Sequence, residues 1–214
     1  MNFNKHFNLE GKHALLGASK YHWINDDENG LIKRIKSNYA SDLGTALHEI
    51  AYKRIKYRFK LTKHDKRSVM LDLLDKGIPG IVLENVDFET VFNNLQNYVN
   101  DSIGFRMTPE VVLFFSENAF GTTDAISFDK KSNLLRIHDY KSGYITAHME
   151  QLLIYTALFC LEYNIKPSDL ETELRIYQSN EILYHNPKTN DIIPIMDKII
   201  TFDKIINRIK EQEN

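Results

Sequence analysis

The hydrophobic period of this chain changes once, near Pro109, and that change limits the fold more than any other feature. Before it, apolar residues recur at helical spacing. Leu31, Ile32 and Ile35 suit a short helix ahead of Tyr39, and Leu43, Leu47, Ile50, Ala51 and Ile55 continue the pattern in another. Lys63 to Asp75 predicts a further helix, stopped at Gly77 before Ile78-Pro79-Gly80. Phe88 to Ser102 predicts one more, with Asp87 as its N-cap. After Pro109 the run Val111-Val112-Leu113-Phe114-Phe115 is rich in strand formers. Ala125 to Phe128 and Leu134 to Lys141 predict two more strands, joined by the polar turn Asp129-Lys130-Lys131-Ser132-Asn133. An amphipathic helix is expected from about Thr146 to Tyr163. Leu174 to Gln178 and Glu181 to His185 suit a second hairpin, and Phe202, Ile205, Ile206 and Ile209 mark a C-terminal helix over 196–212. The expected fold class is α/β, of α+β character: a small mixed, mostly antiparallel sheet flanked by helices, with a helical N-terminal portion.

The 214 residues suit one domain with a sizeable core, a mainly helical part over 1–105 leading into a sheet and helix over 106–185. Hydrophobic residues at 43% and charged residues at 26% are ordinary globular usage. No apolar run is long enough to span a bilayer, and Met1 to Glu10 lacks a signal-type apolar stretch, so a cytoplasmic protein without a membrane partner is expected. Cys160 is the only cysteine, which excludes an internal disulfide and a four-cysteine zinc or iron–sulfur site. It lies in an apolar stretch and reads as a buried small hydrophobe. Phe7, Tyr21 and Trp23 are also expected in the core rather than stacked on bases.

A net charge of −2 does not announce a nucleic-acid partner, but the charge is unevenly spread. Lys53, Arg54, Lys56, Arg58, Lys60, Lys63, Lys66 and Arg67 form a basic stripe with only Asp65 among them. Alone, such a run is more often a solvated helix face than a phosphate track.

The residues that point to chemistry are Gly121-Thr122-Thr123-Asp124 and, beyond the turn, His138-Asp139-Tyr140-Lys141. Alternate residues of a strand share a face, so Asp139 and Lys141 point the same way and His138 the other. A hairpin can carry Asp124 to the same end. Two carboxylates suit a hard divalent cation such as Mg²⁺ or Mn²⁺. Such an ion polarises a phosphate and activates water, and a lysine beside it can orient that water or offset developing charge. Asp-X-Lys alone is common; the preceding Gly-X-X-Asp makes the combination far more specific.

Four segments in order, Gly44-Thr-Ala-Leu-His48, Gly121-Thr-Thr-Asp124, Asp139-Tyr-Lys141 and Gln151-Leu-Leu-Ile-Tyr155, resemble the motifs of RecB-like PD-(D/E)XK nucleases. That group includes CRISPR adaptation nucleases and, more distantly, lambda-type exonucleases. The likeness covers roughly Ser41 to Gln178. The segment from His13 through Trp23 also looks like the opening of some phage-encoded members. The resemblance implies a restriction-endonuclease-like core and a Mg²⁺- or Mn²⁺-dependent DNA nuclease, with an exonuclease acting on DNA ends in recombination, repair or phage DNA processing as the favoured form. It implies Asp124, Asp139 and Lys141 as catalytic residues. His48, Asp124, Asp139 and the carbonyl of Tyr140 would hold the metal. Gln151 and Tyr155 would support the lysine and meet DNA, and Glu110 matches, more loosely, an acidic residue of the preceding strand. Gly44 would let another group approach the helix closely.

The family's iron–sulfur branch needs four cysteines, so no cluster is expected, and no Gly-X-X-X-X-Gly-Lys-Ser/Thr loop supplies a motor. DNA is the implied partner. A single-strand-annealing, helicase or other recombination partner, a homo-oligomer and a bacterial or phage setting are all compatible with the resemblance. In that context Lys53, Arg54 and Arg58, which follow the His48 helix, become candidates for DNA contact. Two other readings stay open: a non-catalytic DNA-end or partner-binding module, and a structure-specific endonuclease.

Overall fold

In the computed structural model, which describes residues 5, 7, 14–143 and 148–212, one mixed sheet stands between two helical layers. The helices of the first half are α1 (Glu28–Lys56), α2 (Lys66–Asp75), α3 (Gly80–Asn85) and α4 (Phe88–Gly104). Then come β1 (Thr108–Ser116), β2 (Ala119–Asp129) and β3 (Leu134–Tyr140), helix α5 (Glu150–Tyr163), β4 (Glu171–Gln178), β5 (Glu181–His185) and α6 (Thr189–Gln212). The strand order is β1-β2-β3-β4-β5; only β3 and β4 run parallel, joined through α5, and every other pair is antiparallel. The mixed α+β class and mostly antiparallel sheet expected from the pattern are what the chain forms. No helix among the described residues is long and apolar enough to cross a membrane.

Strand alternation sorts β3 between the layers. Leu135 and Ile137 face α5 with Leu113, Ile126, Leu174 and Ile176. Tyr140 faces the α1 and α4 side with Ala125 and Tyr177. There Tyr98 of α4 sits between two strand tyrosines, with ring centres 5.6 Å from Tyr140 and 5.5 Å from Tyr177. All three rings are fully buried and fill the space behind the end of the sheet. Pro109 lies inside β1, which is tolerable because β1 is an edge strand.

Several elements differ from expectation for identifiable reasons. The two short helices around Tyr39 are one 29-residue helix, since Ser37-Asn38-Tyr39-Ala40-Ser41 is polar but contains no breaker. The prolyl-glycyl stop at Pro79-Gly80 opens the short α3 instead of a loop, with Pro79 at its N-cap. The C-terminal helix begins at Thr189, not 196. Pro194 lies only in its second turn, where it forfeits little of the backbone ladder. Helix α5 is buried on two sides, against the sheet and against Ile192, Ile195, Met196 and Ile199 of α6; its expected start at Thr146 lies outside the described residues. Cys160 is buried in that second contact, and burial pushes its thiol up to about 11. The core reading fails for Phe7 and Tyr21, which are exposed; Trp23 is half-buried and donates to the Gly17 carbonyl at 3.1 Å. Most of the first ten residues, and His13, lie outside the described residues.

The Asp87 cap forms as its sequence suggests, accepting from the Thr90 amide at 3.2 Å and the Thr90 hydroxyl at 2.7 Å. Asp87→Ala is expected to lower stability by about 1 kcal/mol. Urea unfolding should show this as a lower midpoint at unchanged slope.

Candidate active site

Three strands and two helices meet at one end of the sheet. The β2–β3 register pairs Ala125 with His138, so Asp124 and Asp139 stand opposite each other one step past the last pair. The β1–β2 register pairs Pro109 with Ala125 and Val111 with Thr123 but skips Glu110, which falls opposite Asp124. Glu110 has φ of +50°, a left-handed backbone that breaks this local pairing, and its side chain is exposed. Three carboxylates thus form one row across β1, β2 and β3.

The main chain of Tyr140 organises the row. Its N–H donates to Asp124 Oδ2 at 2.9 Å, and the next amide, of Lys141, donates to the Tyr177 carbonyl at 3.0 Å. His48 arrives from α1 with Nδ1 at 3.5 Å from the same Asp124 oxygen. Its ring meets Tyr140 edge-on at 5.4 Å. Lys141 lies one residue past β3, where it places Nζ 3.1 Å from Asp139 Oδ1 and 3.0 Å from Oδ2. Oδ2 is buried and, despite that close charge, accepts no hydrogen bond.

Helix α5 completes the arrangement. Lys141 Nζ donates to Gln151 Oε1 at 3.0 Å, Gln151 Nε2 donates to the Tyr155 hydroxyl at 3.2 Å, and that hydroxyl donates to the Thr122 carbonyl at 2.7 Å. Gln151 and Tyr155, one turn apart, therefore tie α5 to both β2 and Lys141. Two glycines make these approaches possible. A Cβ at Gly121 would stand 2.9 Å from Tyr155 Cε1, and one at Gly44 would stand 3.2 Å from Ser142 Oγ.

The electrostatics are those of desolvated carboxylates short of positive charge. Burial, then the Asp124 charge, pushes Asp139 up to about 6, against the opposing pull of Lys141. Burial also raises Asp124, although the Tyr140 amide and Lys141 resist. Burial lowers His48, helped by Lys141, so its imidazole is neutral near pH 7. His138 behaves differently. It is fully buried on the opposite face, hydrogen-bonded to the Tyr177 hydroxyl at 3.3 Å and pushed down to about 3 by burial, Arg175 and Arg136. Its place is structural.

Among the described residues, no group of three or more His, Cys, Asp and Glu side chains is gathered tightly enough to hold a metal ion. As they stand, His48 and the Tyr140 amide engage Asp124, while Lys141 engages Asp139.

The basic stripe is split. Lys53 pairs with Glu49 at 2.7 Å, and Arg54 lies 3.7 Å from Asp65. Both line a cleft with Asp72, Asp75 and Lys76, toward α2 and away from His48. Lys66 is paired with Glu89. Lys53 and Arg54 are thus not brought to the candidate site, because helical geometry turns them to another face of α1. Arg58 lies past the end of α1, exposed and without an ion pair among the described residues. Lys56, which the reading of the sequence did not single out, is the stripe residue within electrostatic reach of Glu110.

Sequence reasoning also missed Thr122, whose carbonyl anchors Tyr155, and Gln178, whose Nε2 donates to the Gly143 carbonyl at 2.6 Å just past Lys141. The parallel β3–α5–β4 connection was the available signal for Gln178, since it brings the C-terminal ends of both strands together. None of the protein-family models, curated proteins or solved structures compared with the chain gives a significant match.

A carboxyl whose folded pKa is raised holds its proton more tightly in the native state. Its ionisation destabilises the fold, with the effect growing as pH rises from the unfolded value of 3.8 through about 6. Asp139→Asn is therefore expected to stabilise the metal-free protein at pH 7 by on the order of 2–3 kcal/mol, and much less at pH 4. Thermal melts in EDTA at the two pH values check this; a gain of the same size at both would contradict it.

Proposed function

We propose that this chain is a divalent-metal-dependent DNA nuclease of the RecB-like PD-(D/E)XK type, with a restriction-endonuclease-like core, hydrolysing phosphodiester bonds. The observation that carries the reading is the Lys141 ammonium, which contacts Asp139 and Gln151 at once. Through it and the Gln151–Tyr155–Thr122 bonds, residues of three segments meet at one sheet end, and His48 on Asp124 brings in a fourth. An ordinary surface ion pair does not need a buried carboxylate, a glycine cut to admit a tyrosine ring and a helix tied to two strands.

The donor set fits Mg²⁺ or Mn²⁺. Asp124 and Asp139 are desolvated hard-oxygen donors, His48 is neutral with a lone pair to offer, and Asp139 Oδ2 accepts no hydrogen bond. His48, Asp124, Asp139 and the Tyr140 carbonyl would hold the ion. A bound ion supplies Lewis-acid polarisation of the phosphate and a lowered pKa for water. The chain's own residues do the positioning. Gln151 fixes the Lys141 ammonium against Asp139, where it can orient the attacking water and offset charge on the phosphate oxygens in the transition state. Tyr155, pinned to Thr122, fixes Gln151 in turn. Gln151 and Tyr155 remain the nearest candidates for contact with DNA on the α5 side. Glu110 stands opposite Asp124 at the exposed margin, placed to meet substrate or a second ion.

Asp124→Ala, Asp139→Ala and Lys141→Ala are each expected to reduce Mn²⁺-supported DNA cleavage by at least about 100-fold while leaving the fold intact. Full cleavage by the Asp139→Ala protein would falsify this site. End-labelled linear DNA and closed circular DNA, incubated side by side, separate the exonuclease expected here from a structure-specific endonuclease.

The looseness of the His48, Asp124 and Asp139 group favours a second reading, a DNA-end or partner-binding module without catalysis. Calorimetric titration with Mn²⁺ distinguishes them: DNA binding without any divalent-ion binding supports the module and sinks the nuclease.

A further inference from the structure

Basic and aromatic residues alternate where α1 ends: Lys56-Tyr57-Arg58-Phe59-Lys60. Tyr57 is 61% exposed and Phe59 63%, while Ile55 before them and Leu61 after them are buried. The two rings therefore add nothing to the core, and hydrophobic burial does not explain them.

The segment that displays them is held firmly. Tyr57, Arg58 and Phe59 donate their amides to the carbonyls of Lys53, Ile55 and Arg54 at 3.0, 3.2 and 2.9 Å. Arg58 takes a left-handed φ of +60°, which turns the chain off the helix. Leu61 is fixed at its amide by Asn100 Oδ1 at 2.8 Å, and at its carbonyl by Asn100 Nδ2 at 2.8 Å and Gln96 Nε2 at 3.0 Å. A two-ring surface clamped at both ends is pre-organised, so a ligand that stacks on it need not order the loop.

The charges around it are available. Among the described residues Arg58 and Lys60 make no ion pair, and Lys56 donates only to the Tyr52 hydroxyl, at 2.8 Å. The Lys56 ammonium stands 5.1 Å from the Tyr52 ring centre and 5.9 Å from that of Tyr57. From His48 to Tyr57 the helix rises ~13 Å and makes about two and a half turns, so a bound strand of a few nucleotides spans the length of helix between them.

We infer that Tyr57 and Phe59, flanked by Lys56, Arg58 and Lys60, form a stacking platform for unpaired DNA bases at the C-terminal end of the helix that carries His48. The platform selects single-stranded DNA or a frayed end over intact duplex. Bases inside a duplex hide their faces from such rings, whereas an unpaired strand offers both faces to the rings and its phosphates to the cations. The inference rests on the nuclease reading for its DNA and adds the strandedness of the substrate.

Fluorescence anisotropy in EDTA, with a labelled oligothymidylate and a duplex of the same length, tests it without cleavage. Wild type is expected to bind the single strand more tightly. The Tyr57→Ala/Phe59→Ala protein should lose about tenfold per ring on the single strand and little on duplex, with an unchanged salt slope and thermal midpoint. Tyr57→Phe/Phe59→Tyr should bind as wild type. Wild-type affinity for the single strand in the double alanine protein overturns the platform, as does an equal loss on both substrates. Failure of the nuclease reading looks different: tight single-strand binding in EDTA with no cleavage in Mn²⁺.

Discussion

Two facing carboxylates at one end of a sheet, Asp139 buried and Asp124 half-buried, with a single lysine to answer them, set the terms for everything around them. A desolvated Asp139 beside Asp124 is unfavourable, and the folded chain tolerates it only because of fixed partners. The Tyr140 amide, the Lys141 ammonium and the His48 ring are those partners, and each is delivered by a different constraint. The amide comes from the splaying of β2 and β3, the ammonium from the exit of β3, and the ring from a helix on the far side of the sheet.

The hydrophobic layers serve that placement. The packed rings of Tyr140, Tyr98 and Tyr177 wedge α4 behind the sheet end and back the segment whose Tyr140 amide reaches Asp124. On the other face α5 is held between the sheet and α6, so Gln151 and Tyr155 reach the site from a helix with little freedom to move. Gly44 and Gly121 are where these layers come closest. At both positions a side chain would meet residues next to, or within, the Lys141 network.

Charge on the surface follows a different logic. Three of the eight stripe residues are neutralised, Lys53 by Glu49, Arg54 by Asp65 and Lys66 by Glu89. Of the stripe residues without an ion pair among the described residues, Arg58 and Lys60 alternate with the two exposed rings at the turn beyond α1.

The sequence by itself determined the period change at Pro109, the Asp87 cap, both hairpins and the one strand face shared by Asp139 and Lys141, because each depends on neighbours within a few residues. The resemblance to nuclease motifs also marked out Asp124, His48, Gln151 and Tyr155 as candidates. It did not reveal that Thr122 and Gln178 support them, that Glu110 carries a left-handed backbone, or that Lys53 and Arg54 turn toward α2. Those outcomes belong to the tertiary structure. The Thr122 carbonyl becomes an anchor for Tyr155, and Lys66 is neutralised by Glu89, through groups that lie far away in the chain, and no local pattern encodes which groups those are. The exposure of Tyr57 and Phe59 between buried Ile55 and Leu61 is of the same kind: only packing decided which of these apolar residues faced the solvent.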